Sequence, residues 1–287
     1  MRRAAWRGRT SSVVIGATLV LAACGDSADD GAGSTAPTPT TSTAADAAAG
    51  DVETYCEKSL EIETAPEPDV DFRSASEEEI AAAIKQAATE TYLPLAQEIQ
   101  AVAPEDVRAD IDTLVAAVEQ VAATGDFEGA FETPEVSAAE ERLHAFDLDA
   151  CGWEPVDVTA IDYAFQGVER TYEPGPVSFE FTNKGSELHE LALFKKNEGV
   201  SESFADIFGG EQAEAMEKVT SLGGTFAEPG AADYDVANLE AGDYALVCFI
   251  PVGTTPEAVT AAEESGEEPE GGPPHFTQGM LAEFTVE

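Results

Sequence analysis

From about Val156 to the carboxy terminus the chain breaks into short alternating segments bounded by Gly, Pro and Asn, and this texture constrains the fold more than any other feature. "VDVTAIDYAF" alternates, and "GPVSFEFTNKG" alternates through Val177, Phe179 and Phe181 before its Asn-Lys-Gly turn. "LHELALF", "DYDVANL", "GDYALVCFIP" and "GMLAEFTVE" continue the series. Strands at this spacing predict an antiparallel β-sandwich over residues 153–287. Two insertions interrupt it, at about 198–222 and 252–273. The first reads as helical from Ser201 to Leu222, with Phe204, Ile207 and Phe208 on one face and Met216 as a packing residue. The second, Thr254 to Gly272, is rich in Glu and ends in glycines and prolines.

Residues 51–152 read as helical, with no strand-like pattern. Ser76 and Glu79 have capping-box spacing ahead of an alanine-rich helix, which Pro94 is expected to kink or end. Pro104 suits a first helical position; Ile111, Leu114, Val115, Val118 and Val121 follow at three-and-four spacing, with a stop near Gly125. Thr133 and Pro134 open a further helix through Val136, Leu143 and Phe146; His144 within it reads as a surface or packing residue. The fold class is therefore α+β and multidomain, a small helical bundle followed by a sandwich.

The amino terminus has a different purpose. "MRRAAWRGRTSSVVIGATLVLAAC" has a basic start and an apolar run from Val13 to Ala23 that is too short for an ordinary membrane span, so it reads as an export signal. Its end, Leu21-Ala22-Ala23-Cys24, resembles the lipobox of bacterial lipoproteins. That resemblance implies a signal peptide over 1–23, a diacylated Cys24 at the mature terminus, and attachment to the outer side of a bacterial membrane. Residues 24–50 contain no aromatic and no large aliphatic side chain and are expected to form a disordered tether. With 14 Lys+Arg against 57 Asp+Glu the chain is a polyanion, which disfavours nucleic acid and anionic headgroups and favours metal cations and cationic partner proteins.

There are 4 cysteines, Cys24, Cys56, Cys151 and Cys248. With Cys24 acylated an odd number remains in an oxidising compartment, so one thiol is left over. Cys56 and Cys151 bracket the helical stretch, and their pairing would tie its two ends together; Cys248 is then the free thiol. On its strand it shares a face with Tyr244 and Leu246.

The pattern "GDYALVC..P", followed by "H....GM" and preceded by "FTNKG...H", resembles the cupredoxin family of plastocyanin and azurin over roughly residues 154–287. The resemblance implies a Greek-key sandwich and a type 1 copper site with His189, Cys248 and His275 as strong ligands and Met280 as the weak axial one. It also implies an electron carrier rather than an enzyme. A thiolate, two neutral imidazoles and a distant thioether suit copper in both oxidation states, whereas zinc usually takes a fourth strong ligand. Two positions depart from the family. Between Cys248 and His275 lie 26 residues, Phe249 to Pro274, where the family has a handful; Pro251 and Pro273-Pro274 stiffen both ends. Glu190 replaces the Asn common after the first His, and strand alternation points it away from His189, so it is expected to face solvent. Competing readings are a metal-free binding module and a copper capture or delivery protein, the latter drawing on Glu263, Glu264, Glu267, Glu268 and Glu270 before His275.

Overall fold

In the computed structural model the described residues are 43–66, 68, 70, 75–255, 258 and 271–287. The export signal, Cys24 and the acidic residues Glu263, Glu264, Glu267, Glu268 and Glu270 lie outside them. No helix among the described residues is long and apolar enough to cross a membrane.

The bundle begins with α1 (Thr43–Glu63), which starts inside the stretch expected as tether. "TAADAAAG" is alanine-rich, and alanine is the best helix former, so the helix extends upstream of its packed part. Helix α2 (Glu77–Ala87) carries the predicted capping box, with Ser76 and Glu79 bonding each other's backbone N–H groups. Pro94 does not end the helical path. A π-helical turn over Ala88–Tyr92 precedes α3 (Leu93–Val102), and its wider winding accommodates the proline's missing N–H and bulky ring. Pro104 also differs from expectation. It opens a turn, its carbonyl accepting from the Val107 N–H at 3.2 Å, and α4 (Arg108–Thr124) starts four residues later.

Helix α4 ends at Gly125, whose φ of 80° is the left-handed conformation that glycine adopts without penalty. A short α5 (Glu128–Phe131) leads to α6 (Pro134–Ala150), capped by Thr133 with Pro134 in the first turn. Ile111, Val115 and Val118 of α4 pack with Tyr55, Ile99 and Leu143 as the bundle core. Cys56 and Cys151 form a disulfide across a sequence separation of 95, joining the start of the bundle to its end.

Nine strands follow among the described residues: β1 (Glu154–Ile161), β2 (Ala164–Gln166), β3 (Thr171–Tyr172), β4 (Gly175–Asn183), β5 (His189–Lys196), β6 (Val219–Ala227), β7 (Ala232–Leu239), β8 (Gly242–Val247) and β9 (Leu281–Val286). They form two sheets, in the orders β2-β1-β4-β7 and β3-β9-β8-β5-β6. The sheets are mixed rather than purely antiparallel, because β1 pairs parallel with β4 and β3 parallel with β9. Between β1 and β4 the chain makes the β1–β2 hairpin and then crosses to the other sheet as β3, so β4 returns in the direction of β1. "VDVTAIDYAF" is therefore a hairpin that turns at Asp162-Tyr163. The first insertion is shorter in helix than expected: α7 (Phe204–Phe208) and α8 (Gln212–Lys218) give way to β6. Met216 is exposed on α8 rather than packed.

Strand β8 is buried on both faces. Tyr244, Leu246 and Cys248 join the core between the sheets, while Ala245 and Val247 pack with Phe204, Ile207 and Phe208 of α7. Bundle and sandwich meet at His144, whose Nε2 lies 2.8 Å from Glu180 Oε1 on β4 and whose ring stacks on Tyr234 of β7 at 3.5 Å.

Candidate metal centre

Strand ends bring the site together. His189 is the first residue of β5 and Cys248 follows the last residue of β8. The two strands are antiparallel neighbours in the register Ala192 to Val247, so both residues lie at one end of the sheet. His275 opens a 3-10 turn (His275–Gln278), after which Met280 precedes β9. The Cys248 N–H donates to the Met280 carbonyl at 3.2 Å, and the Met280 N–H to the His275 carbonyl at 3.1 Å.

The long insertion leaves these ends in place. Pro251 and Pro274 form a β-bridge. The His275 N–H donates to the Ile250 carbonyl at 2.9 Å, the Phe276 N–H to the Cys248 carbonyl at 2.9 Å, and the Val252 N–H to the Pro273 carbonyl at 3.1 Å.

One donor atom from each of His189, Cys248 and His275 lies within 4.8 Å of the other two. The two Nδ1 atoms are 3.2 Å apart, and Cys248 Sγ is 3.3 Å from His275 Nδ1. An ion bonded to all three in one plane would hold them roughly 3.5 Å apart, close to the two spacings around His275 Nδ1. All three side chains and Met280 are 0% exposed. Burial pushes both imidazole pKa values down, against the pull of Asp162 on His189 and of Glu187 on His275, leaving the neutral rings a metal needs. Burial, with Glu190 nearby, pushes the Cys248 thiol up. A thiolate in this pocket therefore requires a cation beside it.

Each imidazole is held from behind. His189 Nε2 lies 3.0 Å from Asp162 Oδ1, and His275 Nε2 lies 3.1 Å from Glu187 Oε2. These contacts fix the tautomers, with Nε2–H donating outward and the Nδ1 lone pairs facing each other. Glu187 also accepts from the Tyr163 hydroxyl at 2.8 Å and from the Gly253 N–H. Burial raises the Glu187 pKa, but these donors outweigh it and the carboxyl lies below its ordinary value. Asp162 behaves in the same way, burial being outweighed by Ser186 and His189. Asn183 ties the loop down, its Nδ2 donating to the Glu187 and Ala227 carbonyls and its Oδ1 accepting from the Gly185 N–H at 2.8 Å.

Glu190 does not face solvent. It is 6% exposed; its N–H donates to Cys248 Sγ at 3.3 Å and its Oε2 accepts from the Phe249 N–H at 3.0 Å. Alternation does turn it from His189, but the opposite face of β5 is also buried. Asp162, Tyr163 and Glu187 were not expected at the site. The available signals were an Asp-Tyr pair containing the only charged residue of "VTAIDYAF" and a Glu two residues before His189.

No family model matches the chain, and no curated protein matches it. Among solved structures it is similar to a dithionite-reduced auracyanin from the photosynthetic bacterium Roseiflexus castenholzii, at 16% identity over 46% of this chain and 96% of that one, with a TM-score of 0.28. It is also similar to auracyanin A, a "blue" copper protein from the green thermophilic photosynthetic bacterium Chloroflexus aurantiacus, at 18% identity over 46% and 98%, TM-score 0.28. A multicopper oxidase matches at 18% identity over 46% of this chain and 41% of its own, TM-score 0.24.

Proposed function

We propose that this chain is a single-electron carrier built on a type 1-like copper centre and held by acylated Cys24 on the outer face of a bacterial membrane. The observation that carries the reading is the convergence of His189 Nδ1, His275 Nδ1 and Cys248 Sγ within 4.8 Å in a fully buried pocket. One thiolate and two neutral imidazoles form the trigonal donor set of electron-transfer copper sites, with buried Met280 beside them as the weak fourth ligand. Bound copper would supply reversible one-electron chemistry.

The protein's own groups keep the ligands still between oxidation states. Asp162 and Glu187 orient the rings, the Glu190 N–H steadies the sulfur, and the zipped strand ends fix His275 relative to Cys248. The negative surface favours a cationic redox partner. Adding Cu(II) to the protein should give an intense sulfur-to-copper charge-transfer band in the orange-red, lost in Cys248→Ala. A protein that binds no copper, or stays colourless with copper bound, overturns the proposal.

A further inference from the structure

A cavity of about 570 Å³ that the metal centre does not use is lined mainly by the helical bundle, with Asp233 and Tyr234 of β7 completing the lining. Its volume falls in the range occupied by small organic ligands. Ile99 of α3, Ile111, Val115 and Val118 of α4, and Leu143 of α6 line it with aliphatic surface. A polar knot closes one end. Asp147, 5% exposed, accepts from the Ser59 hydroxyl at 2.8 Å and is hydrogen-bonded by the Tyr55 hydroxyl. Both donors are neutral, so the carboxylate has hydrogen bonds but no cation bonded to it. The remaining charged groups in the lining, Glu63, Glu132, Glu140, Glu141 and Asp233, are acidic too, and no Lys, Arg or His is among the lining residues described.

We propose that this cavity binds a small apolar organic cation, its hydrocarbon body against α3 and α4 and its ammonium group on Asp147. The aliphatic wall favours the body, since taking apolar surface out of water is favourable in proportion to the area buried. The carboxylate favours the positive end, because a charge-assisted hydrogen bond forms where only neutral donors now stand. An anion of the same shape is rejected by a lining with one sign of charge. The cavity shares no residue with the metal centre, so the inference stands whether or not copper occupies the sandwich.

The test is titration calorimetry of the intact protein with octylammonium, octanol and octanoate at neutral pH. Octylammonium should bind saturably at one site per chain, octanol at least tenfold more weakly, and octanoate not measurably. Asp147→Asn should weaken octylammonium at least tenfold. Leu114→Trp, which enlarges an apolar lining residue and leaves the Asp147 carboxylate in the sequence, should abolish binding while helical circular dichroism is unchanged. Absence of saturable binding, octanol or octanoate binding as tightly as octylammonium, or full affinity in either folded variant overturns the proposal.

Discussion

Glu190 and Phe249 are joined by a hydrogen bond of 3.0 Å from backbone N–H to carboxylate, one residue beyond the thiol that the Glu190 N–H itself contacts. A single side chain thus clamps β5 to the segment carrying Cys248, with a negative charge close to the sulfur. Glu190→Gln keeps an acceptor for Phe249 and removes the charge, so in the copper-loaded protein the reduction potential should rise with little loss of stability. Glu190→Ala leaves the buried N–H of Phe249 unpaired and should cost about 1–3 kcal/mol. Voltammetry and urea denaturation separate the two effects.

The carboxylates behind the imidazoles lead to a related expectation. Asp162→Asn and Glu187→Gln replace charged acceptors at 3.0 and 3.1 Å from the two Nε2 atoms and make the rings weaker electron donors. Each variant should bind copper 10- to 100-fold less tightly, the usual effect of losing such an outer partner, and should have a raised potential. A chelator competition read by the visible band measures the first, and voltammetry the second.

Gly185 should be sensitive to the smallest enlargement. A Cβ there would run into Asp162 Oδ1 and His189 Nε2. Gly185→Ala should therefore displace the Asp162–His189 pair and lower copper affinity by about tenfold or more. The bundle lies apart from this loop, so its disulfide and helical circular dichroism should be unaltered.

Removing the Cys56–Cys151 bridge acts on the other half of the molecule. A closed loop of 95 residues predicts a loss of about 4–5 kcal/mol on chain-entropy grounds. Cys56→Ser with Cys151→Ser should show this in the denaturation of the helical signal. The proposed ligands are all on the sandwich, so the visible band of the copper-loaded folded protein should be unchanged.

Asp147 makes the bundle's stability fall as pH rises. Burial pushes its pKa up to about 6 from 3.8, with Glu63 adding to the rise and Tyr55, Ser59 and His144 opposing it. Between those values the folded chain holds a proton that the unfolded chain has lost. Stability is therefore greatest below pH 4 from this group and declines through pH 6, by on the order of 3 kcal/mol. Asp147→Asn should abolish that part of the slope and be the more stable protein at neutral pH, as thermal melts across pH 4–8 would show.

The side chains that converge at the candidate centre were legible because each is local to a strand end. "GDYALVC" announces a buried strand finishing in a thiol, and His275 and Met280 immediately precede another. The capping box at Ser76 and Glu79 and the stop at Gly125 were legible for the same reason, since each depends on a few neighbouring residues. Asp162 and Glu187 were not, because their partners come from other strands and only the β1–β2 turn brings Asp162 against His189. Strand β6 was hidden by Gly223 and Gly224, which interrupt its apolar alternation; Gly224 has no room for a Cβ against the Leu191 backbone. Glu190 was misplaced by treating β5 as one-sided, when the α7 layer covers the second face. Pro94 and Pro104 show that proline restricts the backbone without deciding whether a helix stops or rewinds.

The bridge between Pro251 and Pro274 separates the metal pocket from the length of whatever joins them. Peptide can be spliced in or trimmed out beyond that clasp without spreading the ligands, which makes the junction a ready docking port for an affinity tag, a fluorophore or a foreign recognition sequence. In the copper-loaded protein such a graft should leave the visible band unchanged.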